Sequence, residues 1–381
     1  MSETKFKIID AENQAEWDAF VTSHKEANFL QSWDFYEFYK SRGNEVVRRI
    51  AVEDIESDGA AAMADSAAST AESASGSASS AADPGAPAAQ PQRRILAAYA
   101  GVVEKAKRGR HLAVAGGPIL NWAKLDLVEA IFADMRTEGK KHKCVFVRVR
   151  PQLERSEQSL ALMEKLGAQP APMYLSVEFA GILDLTKNED EILQGMRQRM
   201  RRALRKGAKN GITIEKSTNP DDIHVFYQIQ LQTAGRHSFI AFSEDFLTKQ
   251  FAAFAPHDEA VLYTAKLGDE ILAQNFMIFY GNEASYHYGV SSELGTKLSG
   301  APLLHMEAMR DARKRGIERY NFWGIVGEDE TWHRFYGVSQ FKRGFGVDEL
   351  KYVPAHDLVL KPSRYMITKF IEGVRKKKRH V

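Results

Sequence analysis

Apolar side chains recur along the first part of the chain at spacings that predict alternating helices and strands. Helical spacing runs through 13–23 and again through 33–40, and continuous apolar runs over 46–52 and 94–103 are typical of strands. Three further elements follow, a strand over 113–120, an amphipathic helix over 125–140 and a strand over 144–150. The first unit is therefore predicted to be mixed α/β.

A second series of elements repeats this alternation. Thr186 with Glu189 three positions on predicts a capped helix start, and Gly316 predicts a helix end. The predicted elements are a helix over 157–166, a strand over 174–185, helices over 189–209, 220–233 and 243–254, strands over 260–266, 270–280 and 284–290, a helix over 301–315 and a strand from 320. This order predicts a half-open sheet of the acyltransferase kind twice over, and hence an α/β (α+β) fold class.

Between the strands at 46–52 and 94–103 the composition changes abruptly. From about 54 to 92, Ala, Ser, Gly, Pro and Asp replace almost every large apolar residue. Such a stretch cannot bury enough apolar surface to offset the entropy lost on ordering. We therefore predict a disordered insert at the tip of a hairpin, with the two flanking strands paired as neighbours.

Composition and charge narrow the class of protein. A chain of 381 residues with 44% apolar and 27% charged residues is expected to form two soluble globular domains. No apolar run approaches the roughly 20 residues of a membrane helix, and the charged start Met1–Lys7 does not resemble a secretory signal. Cys144 lies in an apolar strand with no metal-ligand spacing around it. A cytoplasmic protein with a packed thiol and no metal site is expected.

The net charge of +2 indicates no partner, but basic residues are concentrated in two segments. The helix predicted over 189–209 has an apolar stripe and an opposite face rich in cations, which include Arg197, Arg199, Arg201, Arg202, Arg205, Lys206 and Lys209. Like charges four residues apart repel, so RNA phosphate is a natural partner. A solvated face and an anionic membrane contact are the alternatives. The second segment, 375–379, is either a membrane contact or a basic terminal segment without a function.

A lysine between aromatic residues and glycines is the strongest candidate for chemistry. Lys342 stands next to Phe341, and a charged group among aromatic side chains needs a partner once it loses water. A substrate anion or a developing oxyanion would provide that partner. The alternative is an ordinary ion pair with Glu328 or Asp348.

Six landmarks in order resemble the FemABX family of peptidoglycan-bridge aminoacyltransferases, over nearly the whole chain outside the insert. They are Asn-Phe-Leu-Gln-Ser-Trp at 28–33 with Lys40, Gly-Gly-Pro at 116–118, the basic stretch 197–209, Tyr-His-Tyr-Gly-Val-Ser-Ser at 286–292, Tyr-Asn-Phe-Trp-Gly at 320–324 and Phe-Lys-Arg-Gly-Phe-Gly at 341–346. The resemblance implies two tandem GNAT-like acyl-CoA N-acyltransferase-type domains. The first would span 1–152 and be completed by 347–381, the second would span 153–346, and the coiled-coil arm of some members is missing.

The resemblance also implies roles for individual residues. The diphosphate of the acceptor would be held between the domains by Lys40, in the landmark that contains Trp33, and by Arg236. Tyr286 or Tyr288 would contact the acceptor, and strand alternation places both on one face with His287 on the other. Lys342, preceded by Phe341, would be the catalytic-site lysine. The tRNA-binding residues are expected to be Arg197, Arg201, Arg202, Arg205 and Lys206.

The implied function is the transfer of an amino acid from aminoacyl-tRNA to an amine of a peptidoglycan precursor stem peptide. The ester of aminoacyl-tRNA is already activated, so no cofactor or metal is expected, and the charged tRNA is a co-substrate. The acceptor would be a UDP-linked or lipid-linked muropeptide. The protein is expected to be a monomer, with possible peripheral contact at the inner face of the membrane. No general base is identified, although His287 and His333 are available.

Three alternatives to this function stay open. An acyl-CoA-dependent GNAT-type N-acyltransferase would need a glycine-rich pyrophosphate turn, which 295–302 matches poorly. An acyltransferase of polysaccharide assembly would share the fold and much of the Phe-Lys landmark. A simple RNA-binding module would need only the basic helix.

Overall fold

The computed structural model describes residues 5–53, 94–106, 109–237 and 241–379, without the side chains of 235–237 and 377–379. The insert predicted to be disordered, 54–92, lies outside the described residues. The two strands that flank it are paired antiparallel from Glu45↔Val103 to Val52↔Ile95, as predicted.

Cys144 is fully buried, and this burial raises the pKa of its thiol to about 11, as expected for a packed thiol.

The first half of the molecule consists of the described residues up to 170 together with the returning segment from 356 onward, and it builds a sheet in which neighbouring strands are mostly antiparallel. Its order is β1-β2-β3-β4-β6-β15-β7, with β5 beside β3, and only β4 and β6 pair in parallel. The strands are β1 Phe6–Asp10, β2 Glu45–Glu53, β3 Ile95–Ala106, β4 Gly109–Gly116, β5 Ile119–Leu120, β6 Phe146–Pro151, β7 Gln169–Pro170 and β15 His356–Val359.

The second half builds a similar sheet in the order β14-β8-β13-β12-β11-β10-β9. The antiparallel meander predicted from the sequence forms β10 to β12, and only β12 and β13 pair in parallel. The strands are β8 Phe179–Asp184, β9 Thr213–Ser217, β10 Ala260–Leu267, β11 Glu270–Tyr280, β12 Glu283–Ser291, β13 Arg319–Gly324 and β14 Asp348–Lys351.

Helices cover the faces of these sheets, and several begin at Ser or Asn side chains that accept a hydrogen bond from the first turn. They are α1 Gln14–Thr22, α2 Trp33–Ser41, α3 Leu125–Lys141, α4 Glu157–Lys165, α5 Glu189–Gly195, α6 Gln198–Lys209, α7 Ile223–His237, α8 Glu244–Phe254, α9 Glu293–Leu298, α10 Gly300–Lys314, α11 Tyr336–Arg343 and α12 Pro362–Arg379. Within the described ranges, no helix has both the length and the apolar character needed to cross a membrane.

The two halves are joined by a shared apolar core. Side chains of the first half, including Trp17 and Phe29, form one cluster with side chains of the second half, including Phe251 and Phe276. Each half also has a core of its own on the far side of its sheet. A shared core of large aromatic side chains holds the two sheets together over the region where β12 and β13 end.

Sheet membership differs from the predicted domain boundaries at two places. Helix α4 and strand β7, which follow residue 152, belong to the first half, because Met163 packs in its core and β7 pairs with β15. Strand β14, which follows residue 347, pairs with β8 of the second sheet. The chain therefore crosses between halves near 171–178 and again near 352–355.

The basic helix is also divided differently from the prediction. Met196 and Arg197 have extended backbone conformations, which end α5 and start α6. The capping box lies at Asn188 and Glu191, two residues beyond the predicted Thr186 and Glu189. The predicted single helix over 189–209 was wrong, because the extended backbone at 196–197 lets the second segment change direction and pack against α10.

Candidate active site

Strands β12 and β13 pair over only three residues and then separate. The parallel pairing joins Glu283, Ala284 and Ser285 to the segment 319–321, and no later residues of these strands pair with each other. Side chains rather than backbone hydrogen bonds therefore line the two strand ends. This is the half-open sheet predicted from the order of elements.

The end of β13 has an unusual backbone conformation. Trp323 has a φ of 65°, in the left-handed region that non-glycine residues seldom adopt. Its amide donates a hydrogen bond of 2.7 Å to the side chain of Asn321, which holds the turn, and the pairing of β13 with β8 is irregular between Asn321 and Gly324. Backbone strain of this kind persists where the surroundings enforce it, and it is concentrated at functional sites.

Lys342 reaches this irregular strand end from helix α11. Its side chain is 6% exposed, and Nζ donates a 2.7 Å hydrogen bond to the carbonyl oxygen of Gly324. Nζ also lies 5.6 Å from the ring centre of Tyr286 on the opposite strand. The ammonium group therefore sits between the two separated strands.

No carboxylate of the described residues lies within ion-pair distance of Lys342, and burial lowers the pKa of its amine to about 7. The alternative ion pair with Glu328 or Asp348 was wrong. Glu328 contacts the guanidinium groups of Arg197 and Arg343, at 3.2 Å and 3.6 Å. An anion bound beside Lys342 would supply the missing charge and favour the ammonium form.

His305 is a second buried titratable group beside Lys342. Its Nδ1 is 2.7 Å from the hydroxyl of Tyr320, its ring is 4.5 Å from that of Tyr286, and its Nε2 has no hydrogen-bond partner among the described residues. Burial, and then the charge of Lys342, lower the pKa of His305 to about 3. The imidazole is therefore neutral near pH 7, and of these two groups it is Lys342 that carries positive charge when it is protonated.

Phe341, predicted to be catalytic with Lys342, forms part of the apolar wall of the pocket. Its ring lies 5.6 Å from the ring of His305 and 5.4 Å from that of Phe345. These contacts place Phe341 beside the lysine pocket in the core of the second half. Its catalytic role stays a prediction.

Tyr286 and Tyr288 lie on opposite faces of the sheet, so the predicted shared face was wrong. Met277 pairs with Tyr286 and Phe276 pairs with Tyr288, which leaves His287 as the extra residue of a β-bulge. Tyr286 packs with the far core of the second half, whereas Tyr288 and His287 pack with the core shared by both halves. The bulge thus directs side chains of one strand into both the core of the second half and the shared core.

Gly289 explains how the bulge accommodates Tyr286. A Cβ atom at position 289 would lie 1.8 Å from the hydroxyl oxygen of Tyr286, closer than any side chain allows. The glycine in the Tyr-His-Tyr-Gly landmark is therefore required by the position of the tyrosine that faces Lys342.

Aromatic rings connect the strand ends to the first half of the molecule. The ring of Trp323 stacks on that of Phe29 at 5.2 Å and lies 5.8 Å from the ring of His287. His287 Nε2 is 3.1 Å from the side-chain oxygen of Gln250, and burial lowers the pKa of His287 to about 3. His287 is therefore a packed neutral imidazole at the junction of the two halves.

The basic stretch divides into cations that hold the fold and cations that face solvent. Arg197 bonds to Gln340 and Glu328, Arg201 donates to the carbonyl oxygens of Gln194 and Met196, and Lys206 donates to that of Lys297. No hydrogen bond or ion pair within the described ranges occupies the exposed side chains of Arg199, Arg202, Arg205 and Lys209. The predicted cationic face of the helix is therefore smaller than the sequence suggested.

Known proteins resemble this chain in sequence and in fold. Residues 194–343 match the family described as Acetyltransferase (GNAT) domain. The chain is 18% identical over 329 residues to the Lipid II:glycine glycyltransferase of Staphylococcus epidermidis, across 68% of this chain and 79% of that protein. It is 20% identical over 321 residues to the aminoacyltransferase FemA of Staphylococcus aureus, across 62% and 76%. The crystal structure of FemX superposes with a TM-score of 0.76 at 17% identity, across 95% of this chain and all of FemX.

The predicted resemblance to the FemABX family is confirmed. The fold class of two GNAT-like domains and the enzyme class of an acyltransferase are confirmed with it. Within the part of the chain that the structure describes, no helix is longer than the 18 residues of α12.

Of the residues that the FemABX resemblance assigns to the acceptor, Tyr286 faces Lys342, whereas Tyr288 lies on the other face of β12. Lys40, in the last turn of α2, is 62% exposed and 3.7 Å from Glu37. Its neighbour Tyr39 and Tyr288 both pack against the core that the two halves share. Trp33 packs under the guanidinium of Arg48, at 4.0 Å. Lys40 and Tyr288 thus share one region, which also contains Phe242 against the ring of Tyr288.

Arg236 lies near the end of α7, and its side chain is outside the described residues, so its role stays a prediction.

Sequence reasoning missed His305 and the backbone of Trp323. The available signal for His305 was a single histidine within the apolar face of α10. No three side chains of metal-ligating type converge within the described ranges, and the lack of a metal or cofactor requirement stays a prediction.

Proposed function

We propose that this chain is an aminoacyltransferase that moves an amino acid from aminoacyl-tRNA to an amine of a peptidoglycan precursor stem peptide. The observation that carries the proposal is Lys342, a buried amine at the ends of two separated strands that has no carboxylate partner among the described residues. The named activities of the two staphylococcal relatives agree with this reaction class.

The chemistry follows from the position of the ammonium group. The acceptor amine attacks the ester carbonyl carbon, a C–N bond forms and negative charge develops on the carbonyl oxygen. Lys342 stabilises this oxyanion in a site that excludes water, where a fixed charge is most effective. The C–O bond to the ribose then breaks, and the tRNA hydroxyl leaves with the proton that the amine loses. The low pKa values of His287 and His305 make both imidazoles weak bases for that proton.

We propose that the tRNA contacts the solvent-facing side of α6. Arg199, Arg202, Arg205 and Lys209 are exposed there, whereas Arg197 is tied to α11, the helix that carries Lys342. Phosphate groups bound along α6 would bring the aminoacyl end towards the strand ends. In this arrangement the solvent-facing cations of α6 provide affinity for tRNA, and Lys342 stabilises the oxyanion.

We further propose that the acceptor occupies the region of Lys40 and Tyr288. An exposed ammonium is suited to the diphosphate of a UDP-linked or lipid-linked muropeptide, and Tyr288 offers an aromatic surface beside it. A lipid-linked acceptor is reached at a membrane, so peripheral contact of the chain with an anionic membrane belongs to this proposal.

A second candidate, acyl-CoA-dependent N-acyl transfer, is favoured by the GNAT domain match. Acyl-CoA enzymes of this fold need open backbone amides before a helix to bind pyrophosphate. Here α10 begins directly after Ser299, and the amide of Ser299 is occupied because it donates to the carbonyl oxygen of Gly295. A Cβ atom at Gly300 would also contact Leu272. These contacts favour aminoacyl-tRNA as the donor.

One reaction separates the two candidates. The purified chain is incubated with pooled charged tRNAs and a UDP-linked muropeptide, and the product is weighed by mass spectrometry. We expect a mass gain of one amino acid, lost in Lys342→Met and kept in Lys314→Met, an exposed lysine of α10. A mass gain only when acetyl-CoA replaces the charged tRNAs would overturn the proposal in favour of the CoA-dependent enzyme.

A further inference from the structure

Helix α12 is fixed to the first half of the molecule by one face. Tyr365, Thr368 and Glu372 are buried, the ring of Tyr365 lies 5.5 Å from that of Phe146, and Glu372 pairs with Arg148 at 2.8 Å. These contacts run along a single stripe at spacings of three and four residues. The orientation of the helix is therefore set by its core contacts, and its opposite face must point away from the protein.

That opposite face is apolar. Met366, Ile367, Phe370 and Val374 are 64%, 62%, 73% and 51% exposed. At about 100° per residue these side chains form one stripe directly across the helix from the buried residues. No residue that the structure describes covers them, and a contiguous exposed apolar stripe of this kind marks an interaction surface.

Cations border the apolar stripe on both sides. Arg364 and Arg375 lie on one flank and Lys369 and Lys376 on the other, and all four are exposed. The helix contains one acidic residue, Glu372, and that carboxylate is buried against Arg148. The outward side of α12 is therefore apolar at its centre, cationic at its edges and without an acid.

We infer that this outward side of α12 is a docking surface for an anionic lipid bilayer. The apolar stripe enters the boundary between headgroups and acyl chains, and the flanking cations meet lipid phosphates. A second copy of the chain fits less well, because facing copies would bring like charges together at both edges. RNA fits less well too, because the centre of the surface is mainly aliphatic. The inference deepens the proposed membrane contact and places the strand ends at a fixed orientation to the membrane.

Vesicle co-sedimentation with the full chain tests the inference without any substrate. We expect binding to phosphatidylcholine vesicles that contain phosphatidylglycerol, much weaker binding to phosphatidylcholine alone, and loss of binding as salt rises. The double variant Ile367→Ser/Phe370→Ser should lower the partition coefficient at least tenfold. Arg375→Glu/Lys376→Glu should lower it by about fivefold or more for each residue, from about 1 kcal/mol per basic residue. The matched control is Leu125→Ser/Val225→Ser, two exposed apolar residues elsewhere, which should bind like the wild type.

Three results would overturn the inference. The first is vesicle binding that Ile367→Ser/Phe370→Ser leaves unchanged. The second is a dimer in sedimentation velocity that this variant dissociates, which would make the stripe a contact between copies. The third is a loss of tRNA binding in the variant with no change in vesicle binding. Transfer to a soluble UDP-linked muropeptide should stay at the wild-type rate in the variant, so failure of the docking surface and failure of the proposed reaction give different results.

Discussion

Arg148 and Lys342 are both buried basic side chains, but the groups that surround them differ. Arg148 is 2% exposed and donates to Asp357 at 2.7 Å and to Glu372 at 2.8 Å. Burial alone would lower the pKa of its guanidinium, but the hydrogen bonds and charges of the two carboxylates outweigh burial and raise it. The amine of Lys342 contacts the carbonyl oxygen of Gly324 and lies near the ring of Tyr286, and burial lowers its pKa to about 7.

The difference separates a cation that stabilises the fold from a cation that is available to a substrate. The carboxylates around Arg148 come from β15 and α12, so the neutralised charge fastens the returning end of the chain to β6. Lys342 receives no such partner from the residues that the structure describes, although Glu328 and Glu349 lie close enough to pair with the adjacent Arg343. A buried charge that the fold leaves without a counter-ion is available to an anion that arrives with the substrate.

The largest effect is expected from removing the paired cation. Arg148→Met leaves Asp357 and Glu372 buried together without their counter-ion, and we expect the free energy of unfolding to fall by about 3–5 kcal/mol. Urea denaturation followed by circular dichroism measures this change. The triple variant Arg148→Met/Asp357→Asn/Glu372→Gln should recover part of the loss, because its remaining groups are uncharged. If Arg148→Met had the same free energy of unfolding as the wild type, this cluster would not be what holds the end of the chain in place.

The same substitution at the unpaired cation should affect the reaction instead. Lys342→Met removes the group that stabilises the oxyanion, and we expect kcat/KM for aminoacyl transfer to fall by about 10²–10³-fold. Its free energy of unfolding should stay equal or rise by about 1 kcal/mol at pH 7, because a desolvated charge is replaced by an apolar side chain of similar length. Single-turnover transfer and urea denaturation measure the two effects. Loss of stability together with activity would place Lys342 in the same class as Arg148.

The pH dependence of stability should distinguish the two cations further. The pKa of Lys342 is about 7 in the folded state against 10.5 ordinarily, so the unfolded chain binds more protons between these values. The penalty of the buried charge is complete below about pH 7 and disappears as pH rises towards 10.5. The stability advantage of Lys342→Met over the wild type should therefore be largest at pH 6 and vanish near pH 10. An advantage that is constant with pH would contradict the lowered pKa of Lys342.

Exposed cations extend the comparison and should show the smallest effects. Arg202→Ala/Arg205→Ala should leave stability within about 0.5 kcal/mol of the wild type. It should weaken tRNA binding by about five- to tenfold and reduce the slope of log K against log salt by roughly one to two. Fluorescence anisotropy with labelled tRNA measures both quantities. Arg313→Ala/Lys314→Ala on α10 removes two exposed cations elsewhere and is expected to bind tRNA normally. Equal weakening in both variants would indicate a general charge effect.

Much of the fold followed from local patterns in the chain. Apolar spacing located the meander at 260–290, the helix that ends before Gly316 and the strands on either side of the insert, because these features depend on neighbours a few residues apart. The same reasoning failed at 196–197 and at the bulge between Tyr286 and Tyr288. In both places packing against distant elements overrides the period that the local sequence suggests.

The sequence by itself determined two α/β units, the order of the FemABX landmarks and the choice of Lys342 as the residue of interest. Only the tertiary structure decided which cations are free. Arg148 contacts carboxylates that are 209 and 224 residues away in the chain, and Arg201 donates to carbonyl groups at the end of the preceding helix. Lys342 has no acidic partner among the described residues. The physical reason is that periodicity along a chain reports which residues are buried, whereas the energy of a buried charge depends on the groups that the fold brings to it.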